Sequence, residues 1–157
     1  MSGIREKLRA DLLFDQAIVA HGFAPCLRDY NLFADVLESA PGEEPTRLAR
    51  WRFTHCPLAA TATALSDRVW RESWDDGLTD ATRAEAAESP GYVWGVRWAN
   101  AYPGMEYVED SPLAAEWSAR LGRAMHEVRV ETNVRELRLV FHDVSVTRVP
   151  DGAAPGS

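Results

Sequence analysis

Residues 126–149, HEVRVETNVRELRLVFHDVSVTRV, alternate apolar and polar side chains and so commit the C-terminal third of the chain to antiparallel sheet. Val128 and Val130 share a parity with His126, whereas Glu127, Arg129 and Glu131 take the other. Asn133 supplies turn chemistry before a return strand in which Leu137, Leu139 and Phe141 face inward. Val144 and Val146 continue on the opposite parity, which predicts an inserted residue, a β-bulge, at His142 and Asp143.

Period two recurs upstream. Ala49, Trp51, Phe53 and His55 share one face of a strand, and Arg50, Arg52 and Thr54 the other. Pro57 bends the path before LAATATAL continues extended, which predicts two strands or one broken strand. RDYNLFADVLE, residues 28–38, is apolar on both parities, as in a strand covered on both faces, and PGEEP at 41–45 reads as the hairpin connection that follows. Tyr92, Trp94, Val96 and Trp98 predict an aromatic strand, and the turn-rich NAYPGM at 100–105 is the best candidate for a functional loop.

Helical spacing fills the remainder. Ile4, Leu8 and Leu12, with Leu13, Ala17 and Ala20 beside them, predict one amphipathic helix stopped by Gly22. Ser66 caps a segment that places Trp70 and Trp74 four apart, Thr79 opens a second short helix, and Ser111–Pro112 opens a third that repeats Leu113, Trp117 and Leu121 before Gly122. The expected fold class is α+β, a mainly antiparallel β-sheet packed against several short amphipathic helices. Residues 1–150 are expected to form a single domain and 151–157 a disordered tail.

Composition narrows the function classes. A chain of 157 residues with 46% apolar content and six tryptophans has enough material for a packed core. The net charge of −7 argues against nucleic acid as a partner, because phosphate binding draws on clustered Lys and Arg. Arg47, Arg50 and Arg52 form the one local basic patch and read as the solvated face of a strand. Two cysteines make no disulfide framework, no apolar run approaches a membrane span, and a cytoplasmic location is expected. Seventeen basic residues of which only Lys7 is lysine, with abundant alanine, suggest a GC-rich bacterial gene.

Chemistry near neutral pH falls to four histidines and one thiol, at no recognised spacing. His55 and Cys56 are neighbours on an extended segment, so their side chains point to opposite faces. His55 and His126 lie on apolar parities, where a buried neutral imidazole bonded to backbone or carboxylate is the ordinary reading. The ligand or metal candidates are His55, Cys56, His126 and His142, with Asp143 as a supporting carboxylate. Asp75, Asp76 and Asp80 form a DDxxxD pattern better read as solvated loop carboxylates. Phosphate-loop, HExxH, CxxC and GxSxG motifs are all lacking in this sequence, so no catalytic residue and no cofactor are assigned.

LFDQAIVAHGF, RDYNLFADVL, RFTHC, VWRESWDD, GYVWGVRWANAYPG, HEVRVETN and LVFHDVSVT together resemble a family of small actinobacterial proteins termed YxiG-like, over residues 12–149. The resemblance implies no reaction; it suggests a link to bacterial toxin and immunity neighbourhoods. The expected function is a non-enzymatic protein-binding or immunity-type module, whose acidic charge suits a basic partner. The alternative is a small metal- or ligand-binding enzyme using the histidine and cysteine pocket. A free sheet edge also offers a route to a homodimer.

Overall fold

In the computed structural model of the chain, residues 3–36, 47–72 and 99–155 are described. The PGEEP connection, Trp74, the acidic Asp75, Asp76 and Asp80, the helix expected from Thr79 and the aromatic strand at 92–98 lie outside the described residues.

The N-terminal segment departs from the single helix expected up to Gly22. It forms two short helices, α1 (Ile4–Leu8) and α2 (Ala10–Leu13), separated by Arg9 in the left-handed region at φ 46°. Leu8 and Leu13 are both buried, yet residues five apart point about 140° away from each other on one helix. The break at Arg9 turns both toward the core. Residues expected to continue the helix instead form strand β1 (Ala17–Phe23). Its register against the next strand shifts between Ile18 and Ala20, and this bulge spaces the apolar residues so that they imitate a helical stripe.

Strands β2 (Tyr30–Asp35) and β3 (Leu48–Thr54) pair antiparallel, with Leu32 opposite Trp51. The chain continues through β4 (Leu58–Thr63), α3 (Asp67–Glu72), β5 (Ala99–Asn100) and β6 (Gly104–Tyr107). It ends with α4 (Pro112–Leu121), β7 (His126–Glu131), β8 (Arg135–Phe141) and β9 (Asp143–Arg148). One sheet has the order β5-β1-β2-β3-β9 and the other the order β4-β8-β7-β6. All pairings between these strands are antiparallel.

The antiparallel framework stands as expected, and the helical share is smaller. The described helices are short, and the core is formed by the two sheets rather than by one sheet against several helices, so the architecture is mainly β. Leu32, Trp51 and Phe53 of the first sheet meet Val128, Leu139 and Phe141 of the second in one apolar cluster. Phe53 and Phe141 cross the interior edge to face, with ring centroids 4.9 Å apart. A smaller cluster of Phe33, Leu48 and Ala154 covers the outer face of the first sheet, which explains why β2 is apolar on both parities.

Two sheet changes occur at one end of the molecule. After Thr54 the chain turns through His55, at φ 46°, and Pro57 into β4 of the other sheet. After Phe141 it crosses back through His142 into β9. The parity reversal at His142 and Asp143 is therefore a strand-to-strand crossing between sheets, not a bulge in one strand. Crossing from one sheet to the other exchanges which face meets the core, as an inserted residue would. The helix expected from Ser111 is present as α4: the Ser111 hydroxyl accepts from the Ala114 amide, Pro112 occupies the first turn, and Gly122 closes the helix at φ 66°.

Candidate functional site

The sheet-crossing end gathers His55, His142 and His126. The rings of His55 and His142 are 5.9 Å apart and nearly perpendicular. His142 donates from its Nδ1 to the Ala124 carbonyl at 2.8 Å, and its backbone N–H reaches the Thr54 carbonyl at 2.9 Å. His126 is hydrogen-bonded through Nδ1 to the Tyr107 hydroxyl at 3.0 Å and lies against Phe141. Burial lowers the pKa of both His55 and His126, with Arg123 adding to the effect at His55 and His142 at His126. Both imidazoles are therefore neutral at neutral pH. The His55 Nδ1 is buried without a hydrogen-bond partner among the described residues.

Asp143 turns to a cation rather than to an imidazole. Lys7 Nζ contacts its two carboxylate oxygens at 2.8 and 3.0 Å, and this contact holds the carboxyl below its usual range. Among the described residues no group of three or more His, Cys, Asp and Glu is arranged to hold a metal ion.

Cys56 is buried in the core, whereas alternation placed His55 on that side with Trp51 and Phe53; the turn at His55, φ 46°, interrupts the extended geometry after β3 and breaks the parity. The Cys56 thiol donates to the Leu58 carbonyl at 3.3 Å, and burial pushes its pKa up to about 12. A thiol so placed stays protonated and is not a nucleophile. Cys26 is the contrasting case: it is exposed, and the backbone N–H groups of Arg28 and Asp29 lower its pKa. Titration with a chromogenic disulfide at pH 8 is expected to modify Cys26 alone in the native protein. Cys56 should react only after denaturation, and Cys26→Ser should abolish native labelling; a rapidly reacting native Cys56 would contradict the packing described.

Two buried carboxylates escaped the sequence reading. Asp29 is wholly buried, yet it receives Arg28 at 2.7 and 2.9 Å, Arg52 at 2.6 and 3.0 Å, and the His55 backbone N–H at 3.1 Å. Glu127 accepts from Arg138 at 2.6 Å and from the Ser111 hydroxyl. Ser111 thus ties α4 to β7 while capping the helix. Alternation placed Glu127 on a polar face; only the helix laid over that face buries it.

A cleft of about 570 Å³ runs along β1. It is lined by Val19, Phe23 and Phe33 and by His21, Asn31 and Arg135, among others. Among the described residues β5 pairs with β1 at Ala17 and Ile18. His21 Nδ1 is 2.6 Å from the Tyr30 hydroxyl. Burial raises the pKa of Tyr30 to about 12 and, with Arg135, lowers that of His21. The phenol therefore keeps its proton, and the Tyr30 hydroxyl and the His21 Nδ1 share a hydrogen bond. Exposed apolar side chains bracket the strand: Phe23 and Leu27 at one end, and Phe14 with Tyr102, ring centroids 5.8 Å apart, at the other. Tyr102 belongs to the loop singled out by its turn chemistry; sequence spacing gave no hint of His21, which sits where a helix was expected.

A search among curated proteins returned no match. A family model described as YxiG-like protein matches residues 2–157.

Proposed function

The chain belongs to the YxiG-like protein family, and from that premise, a family description that names no reaction, we propose that it is a protein-binding module of the immunity type that engages its partner along β1. One observation carries the reading: a cleft runs along β1, flanked at both ends by exposed aromatic side chains. Aromatic side chains at its ends supply the large, rigid contacts that dominate binding energy. The reduced state of both cysteines suits a cytoplasmic setting.

Site-specific photocrosslinking in the native host tests this. A benzophenone amino acid in place of Phe23 should yield one defined heterologous adduct, identified by mass spectrometry. The same probe at the exposed Thr61, on an edge of the other sheet, should yield none. Equal adducts at both positions, or none from abundant folded protein, would remove the proposal; an adduct between two copies would replace it with a homodimer.

A further inference from the structure

The two sheet crossings each place a histidine at the same end of the molecule, His55 after β3 and His142 before β9. Their rings lie 5.9 Å apart at 83°. Backbone hydrogen bonds hold both residues: the His142 N–H donates to the Thr54 carbonyl at 2.9 Å, and the His55 N–H to the buried Asp29 carboxylate at 3.1 Å. The His142 Nδ1–H donates to the Ala124 carbonyl, so the neutral ring carries its lone pair on Nε2. An imidazole that ligates a metal is commonly held in this way, with one nitrogen donating to a backbone carbonyl and the other left to coordinate. The His55 Nδ1 has no hydrogen-bond partner among the described residues. Metal–nitrogen bonds of about 2.0–2.1 Å put the ring centres of two imidazoles on one ion roughly 5–6 Å apart. The observed pair already has that spacing, and perpendicular rings suit it because each ring can turn about its own bond to the ion.

We infer that His55 and His142 together form an open site for one divalent d-block cation of the zinc class, with water in the remaining positions. Two imidazoles select a borderline metal that bonds well to nitrogen, whereas magnesium and calcium require oxygen ligands. The surrounding charges point the same way. Arg123 and Arg28 oppose positive charge at His55, and Asp29 favours it. A hard cation held by charge alone gains little in such a balance, while a metal–nitrogen bond is made with a neutral ring. His126 stands outside the pair, its Nδ1 bonded to the Tyr107 hydroxyl, and Asp143 is taken by Lys7. Among the described residues no third His, Cys, Asp or Glu completes a set, so two positions of a tetrahedral ion stay open to water.

The probes are zinc chloride and magnesium chloride, titrated into the untagged full-length protein and followed by calorimetry and by the carbon-bound ring protons of the histidines. Zinc is expected to bind one to one and to shift the ring signals of His55 and His142, and magnesium to do neither. His142→Gln and His55→Asn should each weaken zinc about tenfold or more, since losing a ligand costs at least what losing its hydrogen-bonded support does. Asparagine is chosen at position 55 because it tolerates the left-handed backbone there. Cys26→Ser and His126→Gln should keep the wild-type affinity. Zinc binding abolished by Cys26→Ser would assign the ion to the exposed thiol and overturn the histidine pair. An equal response to magnesium, or no zinc bound by the folded wild type, would overturn the site. Should either histidine variant fail to fold, the wild-type ring protons decide: zinc that binds while leaving the His55 and His142 signals unmoved overturns the inference.

Discussion

Trp51→Ala is expected to lower the unfolding free energy by about 4 kcal/mol, within the range for deleting a buried aromatic side chain. Trp51 is fully buried between the sheets, and its indole N–H donates to the Leu8 carbonyl at 2.7 Å. The substitution empties the centre of the core and also releases the bond that ties α1 to β3. A domain holds only about 5–15 kcal/mol in total, so the variant should melt roughly 10 °C lower. Trp51→Phe keeps most of the apolar volume but leaves the Leu8 carbonyl unpaired, and should cost about 1–2 kcal/mol. Denaturant titrations of the three proteins check both values. A loss under about 1 kcal/mol for the alanine variant would be incompatible with a core centred on this residue.

Asp29→Ala carries the second large effect, about 3 kcal/mol. That is the low end for breaking a buried ion pair, because Arg28 and Arg52 are half-exposed and return readily to water. The Arg28 guanidinium, followed by Arg52 and the His55 N–H, holds the Asp29 carboxyl well below the usual carboxylate range against the opposing effect of burial. A depressed folded-state pKa contributes stability that is fully present above the unfolded value of about 4, and it is lost as the pH falls through the folded value. Wild-type stability should therefore hold from neutrality to about pH 5 and then decline on acidification. Asp29→Asn should decline less steeply over that interval while starting from a lower plateau. Some slope will persist in the variant. Asp143, lowered by Lys7, and Glu127, whose burial is outweighed by Arg138 and Ser111, titrate in the same sense. Parallel acid limbs for wild type and Asp29→Asn would exclude Asp29 as a source of the dependence.

Particular residues show where the sequence was readable. The inward set Trp51, Phe53, Val128, Val130, Leu137, Leu139 and Phe141 follows directly from alternation, and all of these are buried. Ser111, Pro112 and Gly122 mark the ends of α4 because capping is a local hydrogen-bonding requirement. The segment 17–23 was misread because a bulge at residue 19 breaks period two, and pairing with β2 outweighs a weak helical preference. His142 was misread for a related reason: a sheet crossing and an inserted residue leave the same mark on parity. Of the candidate site residues, the chain places His55 beside His142, turns Cys56 to the core and gives Asp143 to Lys7. No spacing rule encodes these partnerships.

Alternation and capping act between neighbours a few positions apart, so the chain alone determined its strands, its antiparallel character and its best-formed helix. Which strands share a sheet, why Asp29 and Glu127 lose their water, and how β1 comes to edge a cleft rimmed by Arg135 were decided only in three dimensions. Those outcomes depend on contacts such as Asp29 with Arg52, 23 positions apart, and Lys7 with Asp143, 136 apart. Such contacts form only when the two sheets close over one core, and their energies belong to the assembled fold rather than to any segment of it.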